Sequence, residues 1–370
     1  KFENARIVRI VKLAEILFMV LASAGFFSEN ITLLLVILFL MGTHSAFFGP
    51  IKYGVLPYHL HEDELIGGNA LIETGTFLAI LAGTVFGGLL ITQAGGATLV
   101  SAAVLAMAVG GWLSSRWMPA NLPAAPDLRL RFNVFVETWE IVRYSARRPE
   151  VFECIIAISW FWFVGATFLA QLPGYTKNHI HGNAAVVTLF LTLFSVGIGF
   201  GSLLCNRMLK GEIHATYVPL GALGISLFTV DLFFAGWTWR APDGALMSVP
   251  DFLSGFAGWR IVFDLFMIAV ASGVYTVPLY ALLQWRSERS HRARTIAANN
   301  VMGASFMVGS AVAVLALLAL GWTPAEIFLA LAVANLGMGW YVCRLLPERV
   351  RRALPFLRRN DASRPPDETL

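Results

Sequence analysis

The chain has 370 residues, 57% of them hydrophobic and only 14% charged, with a mean hydropathy of +0.68. Soluble domains carry about 45–50% apolar and about 25% charged residues, so an ordinary soluble enzyme is excluded, and so is a disordered chain. The net charge of +4 points to basic loops on one side of a membrane and not to nucleic acid, because a chain this apolar has lipid as its solvent. Cys154, Cys205 and Cys343 lie far apart in or beside apolar runs, with no Cys-x-x-Cys. They read as packing residues and imply neither a disulfide framework nor a zinc site.

A helix needs about 20 mostly apolar residues to cross a bilayer. Ten stretches qualify: 8–27, 31–51, 68–93, 97–116, 151–174, 184–206, 216–236, 259–283, 298–321 and 325–346. They are too long and too uniform for barrel strands, which alternate every second residue over about ten. The pattern predicts an all-α polytopic membrane protein. With the first residue in the cytoplasm and each span crossing once, every Lys and Arg except Lys177, Arg240 and Arg260 falls on an inner loop or inner span end. That bias puts both termini in the cytoplasm.

In chain order, four spans fill residues 1–116, a linker covers 117–150, six spans fill 151–346, and 347–370 form a basic cytoplasmic tail. The linker opens with Pro119, Pro123 and Pro126. Phe132, Phe135, Val136, Trp139 and Val142 then recur at helical spacing among charges, which predicts an amphipathic helix at the inner surface.

A weak internal repeat links the two span groups. GPIKYGVLP…GGNALIE runs from Gly49 to Glu73, and VPLYALLQ…AANNVMG from Val277 to Gly303. Each places a proline near the inner end of an inward-running span, then a polar loop, then two small residues and an asparagine: Gly67-Gly68-Asn69 and Ala297-Ala298-Asn299. Transporters often comprise two parallel six-span repeats. Four plus six spans, with a first residue that is not Met, give the expectation of a twelve-span protein lacking its first two spans. The alternative is a genuine ten-span protein with a chance repeat.

Ionisable residues inside spans are costly and are functional candidates by default. Lys52 could hold a phosphate as a point charge, or snorkel to the inner interface. Glu73 lies about 9 Å into the following helix, at a depth where it could pair with Lys52. Lys12 and Glu15 are neighbours on one helix face, and a structural pair is expected. Arg260 and Asp264 are expected to pair likewise near an outer end, in a structural or gating role. Asp231 could simply reach the interface, and His44 is expected to be a hydrogen-bonded structural residue. Gln171 is the one strongly polar group near the end of ISWFWFVGATFLAQLPGY, a helix expected to stop at Pro173-Gly174. Gly83-x-x-x-Gly87 and Gly197-x-x-x-Gly201 are expected to be close-packing sites between helices. HLHEDEL, His59 to Leu65, reads as a polar loop in place of a metal cluster.

The stretch FFGPIKYGVLPYHLHEDELIGGNALIETGTFLAILAGTVFGG resembles the fourth and fifth helices of bacterial lysophospholipid transporters of the major facilitator superfamily. VPLYALLQ and ARTIAANNVMGASFMVG resemble their tenth and eleventh helices, and KFENARIVRIVKLAEI the entry to the third. The likeness extends to Pro347 and is strongest to versions fused to an acyltransferase and an acyl-ligase domain. The resemblance implies a major-facilitator-type helical bundle of two pseudo-symmetric halves in the bacterial inner membrane. It implies movement of lysophosphatidylethanolamine-type lipids from the outer to the inner leaflet, a fused or separate acyltransferase/acyl-ACP synthetase partner, and no cofactor. It favours a cavity-facing Lys52–Glu73 pair, with Asn69, Gln171 and Asn299 as further substrate contacts. Stand-alone members of the family have an arginine where this chain has Leu169, so a second phosphate-binding cation is in doubt and Gln171 is a neutral stand-in or an interfacial amide. None of the seven histidines has an aspartate five positions later, the acyltransferase pattern, and Gly-x-Ser-x-Gly and Walker sequences are absent. A non-transporting scaffold for an acyltransferase and an exporter of another amphipathic molecule remain the alternatives.

Overall fold

The computed structural model describes residues 4–118, 134–239, 245–288 and 291–346. Phe132, Arg240, the tail 347–370 and the linker from 119 to 133 lie outside them. The helices are α1 (Asn4–Phe27), α2 (Ile31–Gly54), the short α3 (Leu56–His59), α4 (Leu65–Ile91), α5 (Gly96–Ser115), α6 (Val134–Ala146) and α7 (Pro149–Gly174). They continue as α8 (Ala184–Leu209), α9 (Val218–Trp237), the short α10 (Val249–Phe252), α11 (Phe256–Arg286), α12 (Arg292–Ala319) and α13 (Pro324–Val342). Each of the ten expected spans coincides with a helix. Among the described residues, nine candidate spans meet both the length and the apolarity a crossing needs. In α2 the uniformly apolar part is Ile31–Ser45, before the helix turns polar toward Lys52.

Local signals set the helix ends. Asn30 caps α2 by accepting from Leu33 N–H at 3.0 Å, and Asn183 caps α8 by accepting from Ala185 N–H at 2.9 Å. Thr323 and Glu326 form a reciprocal capping box at the start of α13. The α-helix α7 ends at Gly174, as expected. Pro173 lies inside the helix, and the chain continues as a π-helical turn, Tyr175–Ile180. Proline has no N–H to give, and the wider π winding takes up the disruption while Thr176 Oγ1 donates to the Leu172 carbonyl at 2.7 Å. Burial of Tyr175 and Ile180 in the core holds the turn in place.

α11 is the central element, buried against α8, α9, α7, α4 and α2. α12 packs on α7 and α2, α13 on α9, and α1 on α2 and α5. Gly197 and Gly201 lie where α8 crosses α11: a Cβ at Gly201 would stand 2.1 Å from the Val270 carbonyl oxygen. Gly83 and Gly87 differ from expectation, because nothing among the described residues lies within 4 Å of their added Cβ positions. Their stretch of α4 continues into exposed Phe86 and Leu89. Outward apolar residues such as Phe39 and Met107 suit a lipid solvent and carry no penalty there.

The amphipathic helix forms as α6, with Val136 and Trp139 exposed. It docks on α12 and α7.

Candidate functional site

Adjacent residues of a helix point about 100° apart, so Lys52 and Tyr53 at the end of α2 serve different faces. Lys52 lines an open cavity of about 1300 Å³ between α1, α2, α4, α7, α11 and α12. Its wall is apolar at Ile7, Val11 and Met307, and polar at Lys52, Thr76 and Asn299. Tyr53 borders the same cavity and reaches on into the contact between α2, α4 and α11.

The Lys52 ammonium donates to Thr76 Oγ1 at 3.0 Å and lies 4.6 Å from the centroid of the Tyr53 ring. Thr76 itself donates to the Ile72 carbonyl at 2.6 Å, so its oxygen is fixed as an acceptor for Lys52. An ammonium has three donors, and one is used here. The expected ion pair with Glu73 is not formed among the described contacts. Glu73 is fully buried on α4, where its Oε1 accepts from the Tyr53 hydroxyl at 2.5 Å and its Oε2 has no partner. The two charges are therefore coupled through Tyr53, whose ring touches one and whose hydroxyl binds the other.

Tyr53 stacks on Tyr280 of α11 with centroids 4.3 Å apart, and Trp162 Nε1 of α7 donates to the Tyr280 hydroxyl at 3.0 Å. This aromatic chain crosses from the first helix group to the second and forms part of the cavity wall. Asn299 of α12 is buried beside it, within reach of the Tyr280 hydroxyl, and neither its Oδ1 nor its Nδ2 forms a hydrogen bond that meets distance and angle criteria among the described residues. A buried amide without partners costs free energy that a polar guest recovers. Gly49 lets α2 approach α12 here, since a Cβ would stand 2.3 Å from Asn300 Nδ2.

The other expected contacts lie elsewhere. Asn69 is not on the cavity wall. It exchanges hydrogen bonds with Gln284 of α11 at 2.8 and 2.9 Å, donates to the Leu65 carbonyl, and is a strut between helix groups. Gln284 also donates to the Tyr53 carbonyl at 3.2 Å. Gln171 is buried nine residues beyond Trp162, about 13 Å along α7, and does not line the cavity.

Lys12 and Glu15 pair at 2.7 Å, with His44 Nε2 3.1 Å from the Val11 carbonyl and 3.5 Å from Glu15. Arg260 departs from expectation. Its guanidinium forks onto Asp231 of α9, with Nε 3.0 Å from Oδ2, and Asp264 is left outside that pair. The fork's planar donors match a carboxylate facing it across the helix contact. Tyr53, Tyr280 and Trp162 are site residues that a search for intramembrane charge passes over.

Residues 6–267 match the sequence pattern described as Major Facilitator Superfamily. The lysophospholipid transporter LplT of Citrobacter koseri is 29% identical over 305 residues, 81% of this chain and 68% of that protein. LplT of Escherichia fergusonii is 27% identical over 315 residues, with the same shares covered. Among solved structures, the Escherichia coli fucose:proton symporter FucP aligns with a TM-score of 0.65 at 13% identity, over 93% of this chain and 84% of that one. A bacterial homologue of the iron transporter ferroportin aligns with a TM-score of 0.62 at 11% identity, over 91% and 82%. At such identities the two structures share the fold.

Proposed function

The chain belongs to the major facilitator superfamily, and from that premise we propose that it carries lysophospholipids from the outer to the inner leaflet of the bacterial inner membrane. One observation carries the reading: a lysine inside the bilayer region, Lys52, lines an otherwise largely apolar cavity and makes no ion pair among the described residues. A lysophospholipid has an anionic phosphate, polar headgroup atoms and one acyl chain. The phosphate meets the ammonium, the headgroup meets the unpartnered Asn299 amide, and the chain lies along Ile7, Val11 and Met307. The relatives named lysophospholipid transporter support the same substrate class.

In this reading the end of the bundle carrying Lys52, Arg286, Arg292 and Arg294 faces the cytoplasm, following the distribution of basic residues. Both termini lie on that side. Lipid delivered there is a substrate for an acyltransferase/acyl-ACP synthetase partner, which restores the second acyl chain.

Reconstitution into proteoliposomes tests the function. Fluorescent lysophosphatidylethanolamine added outside should reach the inner leaflet faster than in protein-free vesicles, while its diacyl counterpart should not. Equal rates with and without protein would refute the proposal.

A further inference from the structure

Two helices bring three arginines to one place at the inner end of the bundle. α1 packs along α5, and a Cβ at Gly111 of α5 would stand 3.5 Å from Lys12 Nζ of α1. The two helices run in opposite directions, α1 leaving the inner side and α5 returning to it. Counted from that contact at about 1.5 Å per residue, Arg9 lies about 4.5 Å, Arg116 about 7.5 Å and Arg6 about 9 Å toward the inner end. All three are exposed.

Their charges have no acid to meet among the described residues. α1 carries one carboxylate, Glu15, which Lys12 engages at 2.7 Å. α5 has no ionisable residue from Gly96 to Ser115. The Arg116 guanidinium lies 5.1 Å from the centroid of the Trp112 ring and has no carboxylate. Other inner-end arginines are matched: Arg148 hydrogen-bonds Glu288, and Arg286 lies 3.4 Å from Glu150.

Toward the bilayer centre the same two helices turn apolar. Ile10, Leu13 and Leu17 of α1 and Val109 and Leu113 of α5 are exposed, and the α1 residues recur at the spacing of a single helix face. Trp112 and the exposed Trp117 flank Arg116, and indoles settle at the headgroup level of a bilayer. The order is therefore cations, then indoles, then hydrocarbon, which is the order of a phospholipid read from its phosphate inward. A guanidinium takes a phosphate through two parallel donors. With Arg116 on one helix and Arg6 and Arg9 on the other, two linked phosphates satisfy the cluster better than one.

We propose that the inner end of the α1–α5 pair binds an anionic phospholipid of the cytoplasmic leaflet, a two-phosphate lipid in preference to a one-phosphate lipid. Its phosphates lie between Arg116 and the Arg6–Arg9 turn, and its acyl chains run along Ile10, Leu13 and Leu113. Basic clefts between spans on the cytoplasmic side suit such headgroups. The lipid bridges α1 to α5 and is held, not carried. None of the three arginines lines the Lys52 cavity, so the site stands independently of lysolipid transport.

The test is native mass spectrometry of the purified, delipidated protein titrated with cardiolipin, phosphatidylglycerol or phosphatidylethanolamine. The wild-type protein should bind one cardiolipin at least tenfold more tightly than phosphatidylethanolamine, with phosphatidylglycerol between them. Each arginine of the cluster replaced by glutamine should weaken cardiolipin about fivefold, so Arg9→Gln with Arg116→Gln should weaken it about 25-fold. Phosphatidylethanolamine binding should stay unchanged. Arg148→Gln, at the inner end but outside the cluster, should bind cardiolipin like the wild type. Millimolar inorganic phosphate should not displace the lipid. Equal affinity of the wild-type protein for cardiolipin and phosphatidylethanolamine would overturn the proposal without any variant. Full binding by the Arg9→Gln, Arg116→Gln protein would place the lipid elsewhere, and an equal loss in Arg148→Gln would make the effect one of general charge. Displacement by inorganic phosphate would make the cluster a free-anion site. Each of these results also overturns the proposal.

Discussion

The Tyr53 hydroxyl donates to Glu73 Oε1 at 2.5 Å, while the face of the Tyr53 ring lies 4.6 Å from the Lys52 ammonium. One side chain thus fixes a buried acid and borders the cation that lines the cavity. Tyr53→Phe leaves Glu73 buried with no donor. Removing one partner of such a bond costs about 1–3 kcal/mol, and thermal melts in detergent should register that loss. Tyr53→Phe combined with Glu73→Leu should cost less than the sum of the single changes, because the unpartnered acid is gone. A Tyr53→Phe protein that melts like the wild type contradicts the assignment.

Two glycine pairs of the same spacing should respond in opposite ways. Gly201→Ala drives a methyl group into the Val270 carbonyl of α11, and overpacking of this kind costs about 1–3 kcal/mol or more. Gly83→Ala has open space around it and should be neutral, or stabilising by about 0.5–1 kcal/mol through its helix preference. Comparison of the two melting temperatures decides the point, and a Gly83→Ala protein as unstable as Gly201→Ala would refute it.

The contact of α6 with the turn before α12 should weaken in acid. Arg148 hydrogen-bonds Glu288, Tyr144 reaches the same carboxylate at 3.4 Å, and the Tyr144 and His291 rings stack at 4.7 Å. The Arg148 guanidinium holds the Glu288 carboxyl below the usual glutamate range. A depressed folded value means that the contribution is complete above the unfolded value of about 4.3 and is lost as pH falls through the folded value. Acidification below about pH 4 should therefore cost the wild-type protein more stability than Arg148→Ala, measured as the change in melting temperature from neutral pH. Equal acid sensitivity would remove Glu288 from the account.

The spans were legible because the bilayer imposes a length and composition on each segment separately. Lys12–Glu15 was legible because its geometry follows from a three-residue spacing. The inter-helix partners were not. Asn69 and Gln284 are 215 residues apart, and Arg260 finds Asp231 at a separation of 29. No local rule relates residues at such distances. Tyr53 and Tyr280 look in sequence like ordinary apolar filling, and their hydroxyls acquire meaning only once Glu73 and Trp162 are placed beside them. Lys52 and Glu73 were readable as intramembrane charges, but the tyrosine that separates them was not.

The most direct test of the lipid-binding account is the initial rate of lysophosphatidylethanolamine movement in proteoliposomes containing Lys52→Ala, with a thermal melt to confirm folding. A charge-assisted contact to the phosphate worth about 1.5–3 kcal/mol corresponds to a rate loss of about 10- to 100-fold. Lys52→Arg should keep part of the rate, since its charge survives while its reach and geometry change. A folded Lys52→Ala protein that moves the lipid at the wild-type rate would contradict the account.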